Sequence, residues 1–197
     1  ADVNASVTVT WNGQTISAES DGSYLLPEGD YTYTVKAKGY AKVSDTLTVS
    51  KDAAVSVTLT PSNAWDGTEK ETPSGSGTQA APYQIENGAQ LAWLADKVNN
   101  STSVTKLYAE LTDDIDLGGY AFTPIGTQSG YSSVYPYQGS FDGQGHTVTG
   151  LNVSAQYAGL FGVIQDAEIK NVIVQGTVTS SNGDAGGIVG RAIGTTN

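Results

Sequence analysis

Asp113, Asp114 and Asp116 form the densest carboxylate group in the sequence, within Leu111-Thr112-Asp113-Asp114-Ile115-Asp116-Leu117. In an extended chain side chains alternate between faces, so Asp114 and Asp116 share one face while Asp113 and Ile115 take the other. Calcium favours several oxygen ligands, which makes these three the calcium candidates and calcium the one metal the sequence suggests. No full calcium-loop motif accompanies them. Aspartates at a strand–turn junction commonly accept bonds from backbone amides, and that structural use is the expectation here.

The single histidine, His146, closes the run Phe141-Asp142-Gly143-Gln144-Gly145-His146. Acid–base work would need a nucleophile or metal and an orienting partner as well as a nearby carboxylate. Gly143 and Gly145 point instead to a tight turn in which Asp142 bonds the backbone. No phosphate-cradling loop with its lysine, no zinc spacing and no Gly-x-Ser-x-Gly elbow occurs, so no catalytic residue is assigned. A polysaccharide lyase or hydrolase using the aspartates is the enzymatic alternative.

The segment from Thr127 to Gln138 is suited to contact. It sets Tyr131, Tyr135 and Tyr137 among Ser129, Gly130, Ser132 and Ser133. Exposed rings among small polar residues could receive sugars or peptides, so these tyrosines are the ligand-binding candidates. The competing use of the rings is to cover one side of the fold.

Composition narrows the partners. Asp and Glu number 20 against 9 Lys and Arg, for a net charge of −11 over 197 residues, which disfavours nucleic acid and anionic membrane surfaces. Cysteine and methionine are absent, excluding disulfides, thiolate metal sites and cysteine nucleophiles; this suits an extracellular, secreted or surface-attached life. No stretch approaches the ~20 apolar residues of a membrane span, so no membrane insertion is expected of this chain. The length accommodates two small domains.

Period-2 patterning dominates the first of these. Val7, Val9 and Trp11 alternate with Thr8 and Thr10, then Asn12-Gly13 supplies the positive φ angles of a two-residue hairpin turn. Further alternating runs follow at Tyr31–Ala37, at Leu47 and Val49, and at Val55, Val57 and Leu59, separated by turn residues at the spacing of a compact antiparallel sandwich. The expected module is a small Ig-like β-sandwich over 1–61. Residues 62–81 are charged and rich in Gly, Ser and Pro, and read as a linker or crossing segment.

Over 82–197 one helix is expected, about 87–99, with Asn87 as cap and Leu91, Leu94, Ala95 and Val98 on one face. A lone helix before many strands could cap the open end of a sheet stack. Val148, Leu151 and Val153 are matched by Ile169, Val172 and Val174, each 21 positions on, and Gly159-Leu160-Phe161-Gly162 is matched by Gly187-Ile188-Val189-Gly190, 28 on. Recurrence of this kind marks a solenoid whose coils stack.

Two resemblances add to these readings. Leu26-Pro27-Glu28-Gly29-Asp30-Tyr31 with Val35-Lys36-Ala37-Lys38-Gly39-Tyr40 resembles the PEGA family and related carboxypeptidase-regulatory-like sandwiches, with Asp30 where that family carries alanine. Gly159-Leu160-Phe161-Gly162 resembles the GLUG motif of bacterial surface proteins, and Trp65-Asp66-Gly67-Thr68, Leu91-Ala92-Trp93-Leu94-Ala95, Pro124-Ile125-Gly126 and Phe141-Asp142-Gly143-Gln144-Gly145-His146 resemble the segment preceding such repeats. The resemblance implies a right-handed parallel β-helix in a secreted or wall-attached protein of adhesive or spacer role. It implies no shared active site.

The sequence therefore leads to an all-β fold: a small β-sandwich, then the start of a β-helix with one capping helix. The expected function is a non-catalytic adhesion or ligand-presenting segment, with a pure stalk as its rival. Its partners would be host or environmental glycans, extracellular proteins and further repeats of the parent chain.

Overall fold

A computed structural model of the protein describes residues 4–37, 39–51, 54–101, 106–129 and 133–194. Among the described residues the chain is all-β apart from one α-helix, and it divides into two compact units, Ala1–Asn63 and Ala64–Asn197.

In the first unit, β1 (Ala5–Trp11), β2 (Gln14–Ile16), β3 (Gly29–Ala37) and β4 (Val43–Val49) form one antiparallel sheet in the order β2-β1-β3-β4. Asn12 and Gly13, at φ 49 and 79, make the β1–β2 turn, because a two-residue hairpin of this hand needs both central residues in the left-handed region. Val9, Tyr31 and Val35 are buried, whereas Val7 and Trp11 stay about half exposed. Asp30, the departure from the PEGA pattern, accepts a 2.6 Å bond from the Thr48 hydroxyl across the β3–β4 pair.

The expected sandwich is corrected to a single sheet among the described residues. The alternating run Val55, Val57, Leu59 lies in irregular chain, with Val55 46% exposed. Alternation makes a segment suitable for pairing but supplies no partner, and among the described residues the ties fall at the end of the segment. The amide of Ala41 donates to the Thr60 carbonyl, that of Ser62 to the Gly39 carbonyl, and Tyr40 bridges to Pro61.

The second unit is built from parallel pairing. β5 (Tyr83–Ile85), β6 (Leu107–Leu111), β10 (Tyr137–Asp142), β12 (Phe161–Lys170) and β14 (Val189–Ile193) form one sheet in the order β14-β12-β10-β6-β5; β7 (Ile115–Asp116), β11 (Thr147–Ala155) and β13 (Ile173–Ser180) form another in the order β13-β11-β7. Every neighbouring pair in both sheets is parallel. The chain alternates between them, from β6 to β7, β10 to β11 and β12 to β13. Parallel bridges at Ala121–Asn152, Ile125–Phe161 and Ala158–Ala185 add a third line of stacking. Leu111, Ile115, Tyr137, Phe141, Val148, Leu151 and Phe161 fill the core, with Phe141 edge-on to Phe161 at 5.1 Å.

The rungs correct the 21-residue period. Val148 pairs with Val174, 26 residues on, and Phe161 with Val189, 28 on, as the glycine-motif offset has it, whereas Ile115 pairs with Val148, 33 on, so the coils are unequal in length. Ile169 pairs with Phe141 in the other sheet, and Val172 lies between strands. The apolar triplet thus mixed residues of two walls. A register shift between Val148 and Leu151 hid the true repeat further, since the rung partner of Leu151 is Gly176.

Helix α1 (Gly88–Asn99) forms as expected, its Asn87 side chain accepting from the Gln90 amide at 2.9 Å. Leu91, Leu94, Ala95 and Val98 are buried in the common core. Gly88 is required at its start, because a Cβ there would lie 2.4 Å from that of Trp65.

Of residues 62–81, expected as a linker or crossing segment, 64–81 pack within the second unit. The Trp65 amide donates to the Asp116 carbonyl, its indole to the Glu69 carbonyl, and its ring meets Phe122 edge-on. Further along, Ser74 pairs antiparallel with Gln84, and the Tyr108 amide donates to Gly77. This segment covers the outer side of β5, an edge that would otherwise present free backbone groups. Tight backbone approach explains the glycines: a Cβ on Gly75 would sit 2.0 Å from the Pro82 carbonyl.

Candidate functional site

The three aspartates are not gathered into a ligand set. Asp113 accepts from the Asp114 amide, Asp114 from the Thr147 amide, and Asp116 from the Gly118 amide, each at 2.8 Å. Asp114 therefore links one coil to the next. The Thr147 amide, and to a smaller extent His146, whose Nδ1 is 3.4 Å away, hold the Asp114 carboxyl below its ordinary range. Among the described residues no group of three or more histidine, aspartate or glutamate side chains is arranged to hold a metal ion.

Asp142 also closes a turn and joins coils. Its Oδ1 accepts from the Gln144 amide at 2.9 Å and from the Asn171 side chain at 3.0 Å, while Lys170 stands 3.7 Å from Oδ2. The Gln144 amide is the main cause of its lowered pKa, opposed by partial desolvation and aided by Asn171 and Lys170.

The tyrosine candidates separate. Tyr131 lies outside the described residues. Tyr135 is half-buried on β9 (Ser133–Tyr135), which pairs with β8 (Thr127–Ser129), so a hairpin flanks the expected loop. Tyr137 is wholly buried, which corrects its assignment as a ligand contact. Its hydroxyl lies 2.8 Å from both the Leu107 and Ser140 carbonyls and donates between them, and burial pushes its pKa far up. Tyr137 lies on β10 at even spacing from buried Phe141 and so shares its inward face, which treating Thr127–Gln138 as one exposed segment concealed.

On the outer face of the five-stranded sheet the sequence singles out Asp142 but not the polar residues that flank it. Register aligns Gln84, Glu110, Asp142 and Lys170 in one row and Tyr108, Ser140 and Glu168 in the next. In the first row Glu110 accepts from Gln84 on Oε1 and from Gln144 on Oε2. In the second, Ser140 donates to Glu168 at 3.0 Å and Lys170 stands 3.2 Å from the same oxygen. Lys170, then Ser140, lower the Glu168 pKa, and Glu168 chiefly raises that of Lys170.

Beside this second row lies an open cleft of about 570 Å³, bounded by Lys106, Tyr108, Ser140, Asp166, Glu168 and Ile193. Arg191 secures the hairpin nearby, donating to Gln128 and to the Tyr157 hydroxyl while its guanidinium stacks 4.8 Å from the Tyr157 ring.

The fold defines the chain at the level of architecture: an all-β protein with an antiparallel sheet unit and a unit of stacked parallel sheets. Comparison with curated proteins finds 29% identity over 190 residues to halomucin of Haloquadratum walsbyi (strain DSM 16790 / HBSQ001), covering 90% of this chain and 2% of halomucin. The chain thus spans about one-fiftieth of the relative it matches. No family model matches it, and no solved structure does.

Proposed function

We propose that this chain is a non-catalytic segment of a secreted or cell-surface protein, in which a right-handed parallel β-helix of GLUG-like type carries and spaces a ligand-presenting surface. The repeated parallel rung is the observation that carries the reading. Val148 with Val174, and Phe161 with Val189, show one unit adding to the next by the same backbone bonds. Strand-to-strand connections of this parallel kind are almost always right-handed. A stack held this way grows by adding coils without redesigning its core, which suits a very long surface molecule.

Three further features support it. The similarity to halomucin is to a chain vastly longer than this one, whose name marks it as mucin-like. Absence of cysteine and methionine removes the side chains most open to oxidation outside the cell. Excess acidic charge keeps an extended surface hydrated and repels like-charged neighbours.

Protease treatment of intact source cells, followed by detection with an antibody to this segment, tests the reading. Loss of the signal from intact cells, or its presence in the medium, is expected. Retention of the segment until the cells are lysed would overturn the proposal.

A further inference from the structure

Polar side chains on the outer face of the five-stranded sheet fall into two groups. Around Asp142 and Glu110 they are spent on each other, each carboxylate having both oxygens engaged. Beside the cleft they are not. Among the described residues no protein group hydrogen-bonds the side chains of Lys106, Tyr108 or Asp166, and both contacts to Glu168 fall on Oε2, leaving Oε1 available.

These groups converge on one concavity whose shape follows from the backbone. Between the Tyr137–Ile164 and Gly139–Ala167 pairs β12 carries one residue more than β10, and with Asp166 at φ 48 this interrupts the regular outward row of β12. Gly139 lies so close to β6 that a Cβ would sit 2.2 Å from the Leu107 carbonyl. The small residues Gly139, Ala167 and Ala192 line the cleft together with Ile164 and Ile193. It crosses β6, β10, β12 and β14, three strand spacings of ~4.8 Å each, or roughly 14 Å.

We infer that this cleft binds a short neutral oligosaccharide. Asp166 and Glu168 Oε1 are acceptors for sugar hydroxyls, Lys106 is a donor to hydroxyl or ring oxygens, and Tyr108 offers an aromatic face to the C–H side of a sugar ring. Lys170 balances Glu168, and Lys106 leaves no positive excess over Asp166, so within a chain of net charge −11 the cleft offers no attraction to a polyanionic glycan. The cleft replaces the tyrosine-bearing hairpin as the ligand surface. This inference rests on the proposed role as a ligand-presenting segment.

The full chain should be titrated calorimetrically with neutral hexose and N-acetylhexosamine trisaccharides, and with heparin and hyaluronan fragments as the acidic arm. Saturable binding of at least one neutral trisaccharide is expected, weakened about tenfold or more by Asp166→Asn, Glu168→Gln or Tyr108→Ala. Thermal unfolding of each variant keeps a folding defect distinct from a binding defect, and Lys106→Ala, at an exposed site, provides a variant free of packing change. Neutral binding unaffected by any cleft variant overturns the cleft while leaving ligand presentation standing. Preference for the acidic fragments overturns the inferred ligand class. No binding by any probe overturns the inference and leaves a spacer as the surviving form of the surface-segment reading.

Discussion

The two units use the same kind of residue to different ends. In the antiparallel sheet of 1–63 alternation gives each strand one apolar face, but few of those side chains become buried: Val9, Tyr31 and Val35 do so, while Val7, Trp11 and Val55 remain near half exposure. In 64–197 each coil supplies two or more walls that face one another, so Phe141, Phe161, Leu111 and Ile115 lose essentially all contact with water. Burial of apolar area is the main source of stability, and an isolated sheet has only one side on which to gain it. The first unit is therefore held chiefly by its ladder and turns, the second by its core.

This contrast predicts two calorimetric transitions, the lower belonging to the first unit. Phe161→Ala is expected to have the largest effect, about 3–5 kcal/mol, lowering only the upper transition. A shift of both transitions together would break the comparison, since it would make the units one cooperative block. Tyr137→Phe is expected to cost about 1–2 kcal/mol in the same transition by withdrawing the donor shared by two buried carbonyls. It also has a pH signature. Because burial raises the Tyr137 pKa, the folded state holds that proton more tightly, so stability is complete below the ordinary value of 10.0 and falls as pH rises beyond it. Removing the hydroxyl should flatten that alkaline fall.

Next in size, Asn12→Ala should destabilise only the lower transition, by about 1 kcal/mol, because alanine pays for the left-handed φ that asparagine tolerates. The smallest effect is expected from Asp114→Asn, measured as unfolding against pH. The carboxyl is held below its ordinary range, so its contribution is present above that range and is lost as pH falls through the lowered value. The variant should show a shallower acid limb with little change at neutral pH. An unchanged acid limb would remove Asp114 as a link between coils.

Much of this organisation was legible where a short-range rule applied. Asn12-Gly13 specified a hairpin through backbone sterics alone, and Asn87 with Leu91, Leu94 and Val98 specified the helix through capping and one-sided burial. Misreadings came where distant pairing decided. Val55–Leu59 had the alternation of a strand but no ladder partner among the described residues, and the composition of 62–81, which left linker and crossing segment open, did not show the anchoring by Trp65 and Ser74. Tyr137 looked like a loop residue because β10, which starts at it, is defined by pairing with the distant strands β6 and β12, and only that pairing puts it on the face of Phe141. The cleft was less legible still, since Lys106 and Tyr108 stand far in sequence from Asp166 and Glu168, and the parallel register of β6, β10 and β12 brings the two pairs together.

The direction of the rung bonds has a mechanical consequence. In the second unit backbone hydrogen bonds between β10, β12 and β14 run along the stacking axis, so tension along that axis pulls them apart in sequence rather than shearing them all at once. Coils would peel singly from the edge. With Val148 and Val174 marking 26 residues per turn, each event would pay out roughly 90 Å of chain at ~3.4 Å per residue. A segment built this way yields to load in small, recoverable steps and keeps the remaining coils folded while it lengthens.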